Sequence, residues 1–140
     1  MSEPTKALSL LQPWVWAILT QGKNIENRRW PTHFRGCVVI HTGKGYDAQG
    51  HTWLTEHGYA IPPDLPRGAF LGEMTITGCR RPTVEESAGV GGNPWAFGPW
   101  CFPLEEIIAY PEPVPGRGAL GFFPVPPEVL EVVRKLRGGG

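Results

Sequence analysis

Lys23, Glu26 and Arg28 are the residues whose types and spacing could do chemistry. They lie in Gln21-Gly22-Lys23-Asn24-Ile25-Glu26-Asn27-Arg28-Arg29-Trp30, which packs three cations, one carboxylate, three amides and a tryptophan into ten residues. From position 21 to position 45, five Lys/Arg (Lys23, Arg28, Arg29, Arg35, Lys44) meet one acid, Glu26. The whole chain is formally neutral, so the positive charge is concentrated locally. Such footprints attract phosphates or carboxylates. In an extended segment Glu26 and Arg28 share one side, with Lys23 near the preceding turn. An acid flanked by bases can orient the cations for a phosphate, take part in proton transfer, or balance charge at a turn. A carboxylate three residues away also favours a charged Lys23. An exposed Arg28 would contribute little to folding.

Aromatic residues flank these charges. Trp14, Trp16 and Trp30 bracket the basic segment, and Trp95, Phe97 and Trp100 sit in a later stretch rich in Gly and Pro. Flat rings beside cations suit unpaired bases, each stack contributing about 1–3 kcal/mol. Trp14, Trp30 and Trp95 are the expected stacking residues, with Lys23, Arg28, Arg29 and Arg35 as phosphate contacts. Glu73 is a second carboxylate of interest. If it converges with Lys23 and Glu26, the three could hydrolyse an amide or a phosphodiester without a metal. The histidines (His33, His41, His51, His57) lack metal-ligand spacing, and no dinucleotide or phosphate-loop fingerprint occurs. Neither a metal nor a cofactor is expected.

The elements that must position these residues are short, because 19 Gly and 16 Pro break up the chain. That composition favours a β-rich barrel or sandwich over a helical bundle. An entry strand over residues 8–11 leads to Pro13, which suits the first position of a helix. Val15, Ile18 and Leu19 keep helical spacing until Gly22 caps it. Residues 24–28 read as extended, and residues 37–41 as a central strand. Residues 47–57 read as a helix with Trp53 and Leu54 inward. Residues 69–77 alternate, with Phe70, Met74 and Ile76 on one face and Glu73 on the other. Residues 80–99 read as one long loop of the kind that is functional or mobile. Strands are expected over 100–104, 107–110 and 120–125. Pro127 opens a last helix striped by Val129, Val132, Val133 and Leu136, and residues 138–140 read as a disordered tail. The expectation is a single α+β domain over residues 1–137.

The length of 140 residues fits one domain with a real core. No apolar run approaches the roughly 20 residues of a membrane helix. The polar start lacks signal-peptide order, which points to the cytoplasm and away from a membrane. Three widely spaced cysteines, Cys37, Cys79 and Cys101, read as free thiols.

Several of these segments together resemble the ASCH domain family, the activating signal cointegrator homology domain. They are Ser9-Leu10-Leu11-Gln12-Pro13-Trp14, then Gly22-Lys23, Glu26, Arg28, Trp30, Thr32, Arg35-Gly36 and Ile40-His41. The stretches 93–100 and 111–121 are also similar to bacterial and phage members. The family hallmark is Gly-x-Lys-x-x-Glu-x-Arg. Lys23, Glu26 and Arg28 match it, while Gln21 occupies the glycine slot. The resemblance implies a small PUA-like β-barrel with flanking helices. It implies binding of RNA, single-stranded nucleic acid or a nucleoside-type ligand in a cleft beside the motif. Some members are hydrolases. One group resembles amidohydrolases of N4-acetylcytidine that use a lysine, a threonine three residues on and a later glutamate; another is linked to ribonuclease activity. Lys23 matches that lysine and Glu73 falls at the later glutamate, but Glu26 holds the threonine slot.

Overall fold

Strand β3 (Gly36–Tyr46) is the spine of the molecule. Its Val38, Val39 and Ile40 are all fully buried, so both faces of the sheet are covered here. The computed structural model describes residues 3–138. In chain order the other elements are β1 (Lys6–Gln12), α1 (Trp14–Thr20), β2 (Ile25–Arg28), α2 (Ala48–Glu56), β4 (Ala69–Ile76), α3 (Val84–Ala88), β5 (Trp100–Pro115), β6 (Phe122–Pro124) and α4 (Pro127–Leu136). The strands form one six-stranded sheet in the order β2-β5-β4-β3-β1-β6. β1 runs parallel to β3, and the other pairs are antiparallel.

This is an α+β fold, but the backbone ladder does not close into a barrel. β2 and β6 are left as edges among the described residues. The sheet nevertheless curls strongly. Arg28 in β2 donates from Nη2 to the carbonyl of Ser9 in β1 at 2.8 Å, although β5, β4 and β3 separate the two strands in the sheet. Trp30 and Phe34, on the connection after β2, pack on Phe122 of β6, with ring centroids 5.8 and 4.6 Å apart. Side chains therefore cross the seam that hydrogen-bonded strands leave open.

Three clusters fill the molecule. Leu8, Ile40, Met74, Ile76 and Phe102 line the concave face with Val15 and Ile18 of α1. Ala7, Val39, Phe70 and Phe123 pack against Val129 and Val133 of α4 on the other face. Ala17, Ile25, Leu54, Trp95 and Cys101 join α1, β2, α2 and the segment before β5. Leu136, expected in the apolar stripe of α4, is 43% exposed.

Several expectations change for identifiable reasons. Phe70 does not share a face with Met74. Leu71 is an extra residue between the pairs Phe70↔His41 and Gly72↔Ile40, and this bulge turns Phe70 toward α4. The 80–99 segment contains α3, capped by a Thr83–Glu86 box. Glu86 also takes both arms of Arg80 at 2.7 and 2.9 Å and the Asn93 N–H at 2.9 Å, so the loop is tied at several points. The strands expected over 100–104 and 107–110 are one sixteen-residue strand, β5. Pro13 sits one place earlier than expected, as the N-cap of α1. Of the expected disordered tail, Gly138 is an ordered turn residue, and residues 139–140 lie outside the described residues. Among the described residues no helix is long and apolar enough to cross a membrane.

Glu73 lies opposite Met74, on the face to which Phe70 has turned. It is 0% exposed and faces α4, where Arg137 donates to its two oxygens at 2.8 and 3.1 Å. Tyr110 donates its hydroxyl at 2.9 Å and the Cys37 thiol lies at 3.5 Å. Burial, reinforced by this carboxylate, pushes the Cys37 thiol up to about 12. Burial likewise raises the Tyr110 phenol, with Glu73 adding to it. Arg137 is therefore the main cation holding a buried carboxylate. Arg137→Ala is expected to cost about 3–5 kcal/mol in denaturant unfolding, the range for stripping one partner from a buried pair. A loss under about 1 kcal/mol, as for an exposed pair, would contradict this role.

Candidate functional site

A cleft of about 500 Å³ opens beside β2, lined by residues from β1, α1, β2, α2 and the loop before β5. Lys23, Glu26 and Arg28 form one side, and Trp14 and Phe97 form an aromatic side, their ring centroids 6.1 Å apart. Ser9, Asn27, Asp47 and Gln49 contribute further polar groups.

Local structure explains why these side chains meet. α1 ends at Thr20, and Gly22 takes a positive φ of 76°, which turns the chain back under the helix. Lys23 then donates its backbone N–H to Ala17 at 3.1 Å. β2 pairs antiparallel with the start of β5, placing Glu26 opposite Phe102 and Arg28 opposite Trp100. Two residues apart on one strand, Glu26 and Arg28 meet side by side, Oε2 to Nε at 2.9 Å. Lys23 Nζ lies 3.8 Å from Glu26 Oε1, donates to the Ile25 carbonyl, and sits 5.4 Å from the Trp14 ring centroid.

The aromatic wall is held by polar residues that the sequence analysis did not single out. Asp47 accepts the Trp14 indole N–H at 2.7 Å and caps α2 through Gly50 N–H at 2.9 Å. Gly50 is buried against Trp14, where a Cβ would lie 2.6 Å from the indole, so only glycine lets α2 approach this closely. Asn27 accepts the Phe97 N–H at 2.9 Å and donates to the Trp95 carbonyl at 3.1 Å, which fixes the 93–98 loop. The legible signals were Asp47 as a cap before a helix and Asn27 inside the charged motif.

The remaining expected residues are placed elsewhere. Glu73 does not line the cleft, because its carboxylate serves the α4 face. Trp95 is buried in the third cluster against Trp53 and Tyr59. Trp30 packs edge-on against Phe102 and Phe122 over the core. Arg29 is exposed outside the lining. Arg35 is exposed and donates to the Thr32 and Phe34 carbonyls of its own turn. Arg28 is not the free surface guanidinium expected of it: it is half-buried and spans the seam to Ser9.

Lys23 is only 2% exposed, and burial is the largest influence on it, lowering its basicity below the ordinary 10.5. Glu26 pushes the other way, Arg28 lowers it further and Cys101 raises it slightly. The preference for a charged Lys23 expected from Glu26 is opposed here, because desolvation outweighs one neighbouring carboxylate.

Comparison with protein families places this geometry. A model of the ASCH domain matches residues 8–108, from β1 into β5 and including every residue that lines the cleft. The chain belongs to the ASCH domain family. That family is generally associated with RNA binding or related hydrolase activity. No curated protein matches the chain.

The lowered basicity of Lys23 has a sign that can be measured. Between the lowered folded value and 10.5 the unfolded chain binds more protons at this position, so stability rises with pH through that window. Unfolding free energy measured against Lys23→Met from pH 7 upward should therefore move in favour of the native protein as pH approaches 10.5. A difference that stays flat would show a lysine of ordinary basicity.

Proposed function

We propose that this cleft binds one base of a single-stranded RNA, or a nucleoside-type ligand, between the Trp14–Phe97 wall and the Glu26–Arg28 edge. The observation that carries the reading is the pairing of two aromatic rings with fixed hydrogen-bonding groups in one cleft. Rings supply stacking to any base, and a held carboxylate and guanidinium supply an acceptor and a donor for a base edge. Arg28 also lies where a neighbouring phosphate would find a cation. Lys23 is too enclosed to meet a phosphate itself; it sets the floor and the electrostatics beneath Trp14. The family's general association with RNA supports the same reading.

The test is fluorescence anisotropy with a labelled single-stranded RNA. Trp14→Leu should weaken binding by about 1–3 kcal/mol while the variant stays folded. Affinity should fall with salt along a shallow slope, on the order of two to four released ions. A salt-independent affinity, or no effect of Trp14→Leu, would overturn the assignment.

A second reading is favoured by one observation, the burial of Lys23 within 3.8 Å of Glu26, which lowers its basicity. A lysine that is neutral near pH 7 can act as nucleophile or base, with Glu26 carrying the proton. Glu73 has no part in such a site, since it is held on the α4 face. Lys23 Nζ donates to the Ile25 carbonyl and lies beneath Trp14, which shields it from a substrate. Incubation with N4-acetylcytidine is therefore expected to release no acetate above the buffer rate. Release that disappears in Lys23→Ala would establish the hydrolase instead.

A further inference from the structure

A second cavity of about 560 Å³ lies next to the first and differs from it in charge. Its lining comes from Gly43 and Lys44 on β3, Gly68, and the Gly116-Arg117-Gly118 segment after β5, with His41 at its base. Four of these residues are glycines, so the walls are largely backbone and the charged side chains are Lys44 and Arg117. Both cations are exposed, and neither pairs with a carboxylate among the described residues. Arg67, outside the lining, lies over the Tyr46 ring at 4.8 Å and donates to the Lys44 carbonyl at 3.2 Å. No acid lines this cavity, whereas Glu26 and Asp47 offset Lys23 and Arg28 in the first.

Ser9 joins the two. It lines the first cleft, where its carbonyl takes Arg28, and its hydroxyl lies 2.7 Å from His41 Nδ1 at the base of the second. Ser9 and His41 are direct partners on the neighbouring strands β1 and β3, so roughly one strand spacing of about 5 Å separates them. His41 is a pillar here and takes no ligand itself. Its Nε2 lies 3.0 Å from the Gly116 carbonyl, which only accepts, so Nε2 donates and Nδ1 faces the Ser9 hydroxyl. Gly118 closes over this pair: a Cβ there would lie 2.5 Å from His41 Nδ1 and 3.0 Å from Ser9 Oγ. The glycine thus lets the backbone carrying Arg117 come down beside Lys44.

We infer that a single-stranded RNA runs from the first cleft across Ser9 into this cavity, where Lys44 and Arg117 hold a backbone phosphate. The inference rests on the reading of the first cleft as a base site. It narrows the ligand from a lone nucleoside to an oligonucleotide, because a nucleoside fills one cavity and leaves the other empty. Arg117 and Gly118 lie beyond residues 8–108 matched by the family model.

Anisotropy with a labelled RNA of about eight nucleotides, within the usual site sizes, tests it. Lys44→Gln/Arg117→Gln should weaken binding roughly tenfold and flatten the logarithmic salt slope by about 0.7, for the one phosphate they share on a single strand. Far-UV circular dichroism confirms that the variant is folded, and Trp14→Leu is measured alongside. If the double variant binds within twofold of the native protein while Trp14→Leu is weakened, the second cavity falls and the base cleft stands. If only the double variant is weakened, the continuous path falls, leaving an isolated anion site. No RNA binding by the native protein would overturn both.

Discussion

Arg28 stands at the seam of a curled sheet, and its guanidinium does two jobs there at once. Through Nε it meets Glu26, and through Nη2 it meets the Ser9 carbonyl on a strand that is not its neighbour. β2 is only four residues long and is hydrogen-bonded along one side only. Such an edge needs something to satisfy and position its free side. A planar fork can hold a carboxylate and a carbonyl in fixed directions together, which a lysine ammonium at that position could not. The cleft exists because this side-chain bridge takes the place of a strand ladder. A hydrogen-bonded ladder would have filled the gap with backbone.

The same seam decides the state of Lys23. An ammonium taken out of water loses several kcal/mol of hydration, and partners recover part of it. Lys23 has a carbonyl, one carboxylate at 3.8 Å and the face of an indole. Glu26, however, is shared with Arg28, which is closer and holds it more directly. The lysine therefore keeps a partial partner and an incomplete shell, and its basicity falls. Glu73 shows the contrasting solution on the other face. There one carboxylate receives a forked guanidinium and a phenol, with no ring wall and no opening. A satisfied buried pair of that kind serves the packing of α4.

How much of this was legible in the sequence depends on whether the signal was local. Glu26 and Arg28 meet because two residues on a strand share a side, and spacing alone contains that. The capping box at Thr83 and Glu86 was equally local, although a Gly- and Pro-rich setting concealed it. Glu73 keeps the face opposite Met74 that alternation assigns it, but one bulged residue at Leu71 moves Phe70 onto that face, and α4 covers it and supplies Arg137 from 64 positions away, so it does not look into the cleft. Trp30 and Trp95 look like stacking residues by composition. They prove to be packing residues because Phe122 and Trp53 reach them from distant segments. Barrel closure was not legible for the same reason, since it is a property of how the first and last strands meet, and the ladder here stays open. The motif that marks the family was readable because it lies on one short strand and the turn before it.

Charge divides the surface into two kinds of site, and the division follows from which groups stand between them. Around the first cleft, two acids are spent on positioning: Glu26 on Arg28, and Asp47 on Trp14 and the start of α2. Their charge cancels that of Lys23 and Arg28, so the cleft offers direction more than attraction. Groups held in fixed directions discriminate between base edges, whereas uncompensated cations attract any phosphate. The neighbouring cavity has the opposite character, with glycine walls and unpaired cations. The Ser9–His41 pair keeps the two sites one strand apart, and Gly118 is the residue whose missing side chain permits that closeness. A larger residue there would hold the Arg117 segment off His41 and leave the charged cavity without its second wall.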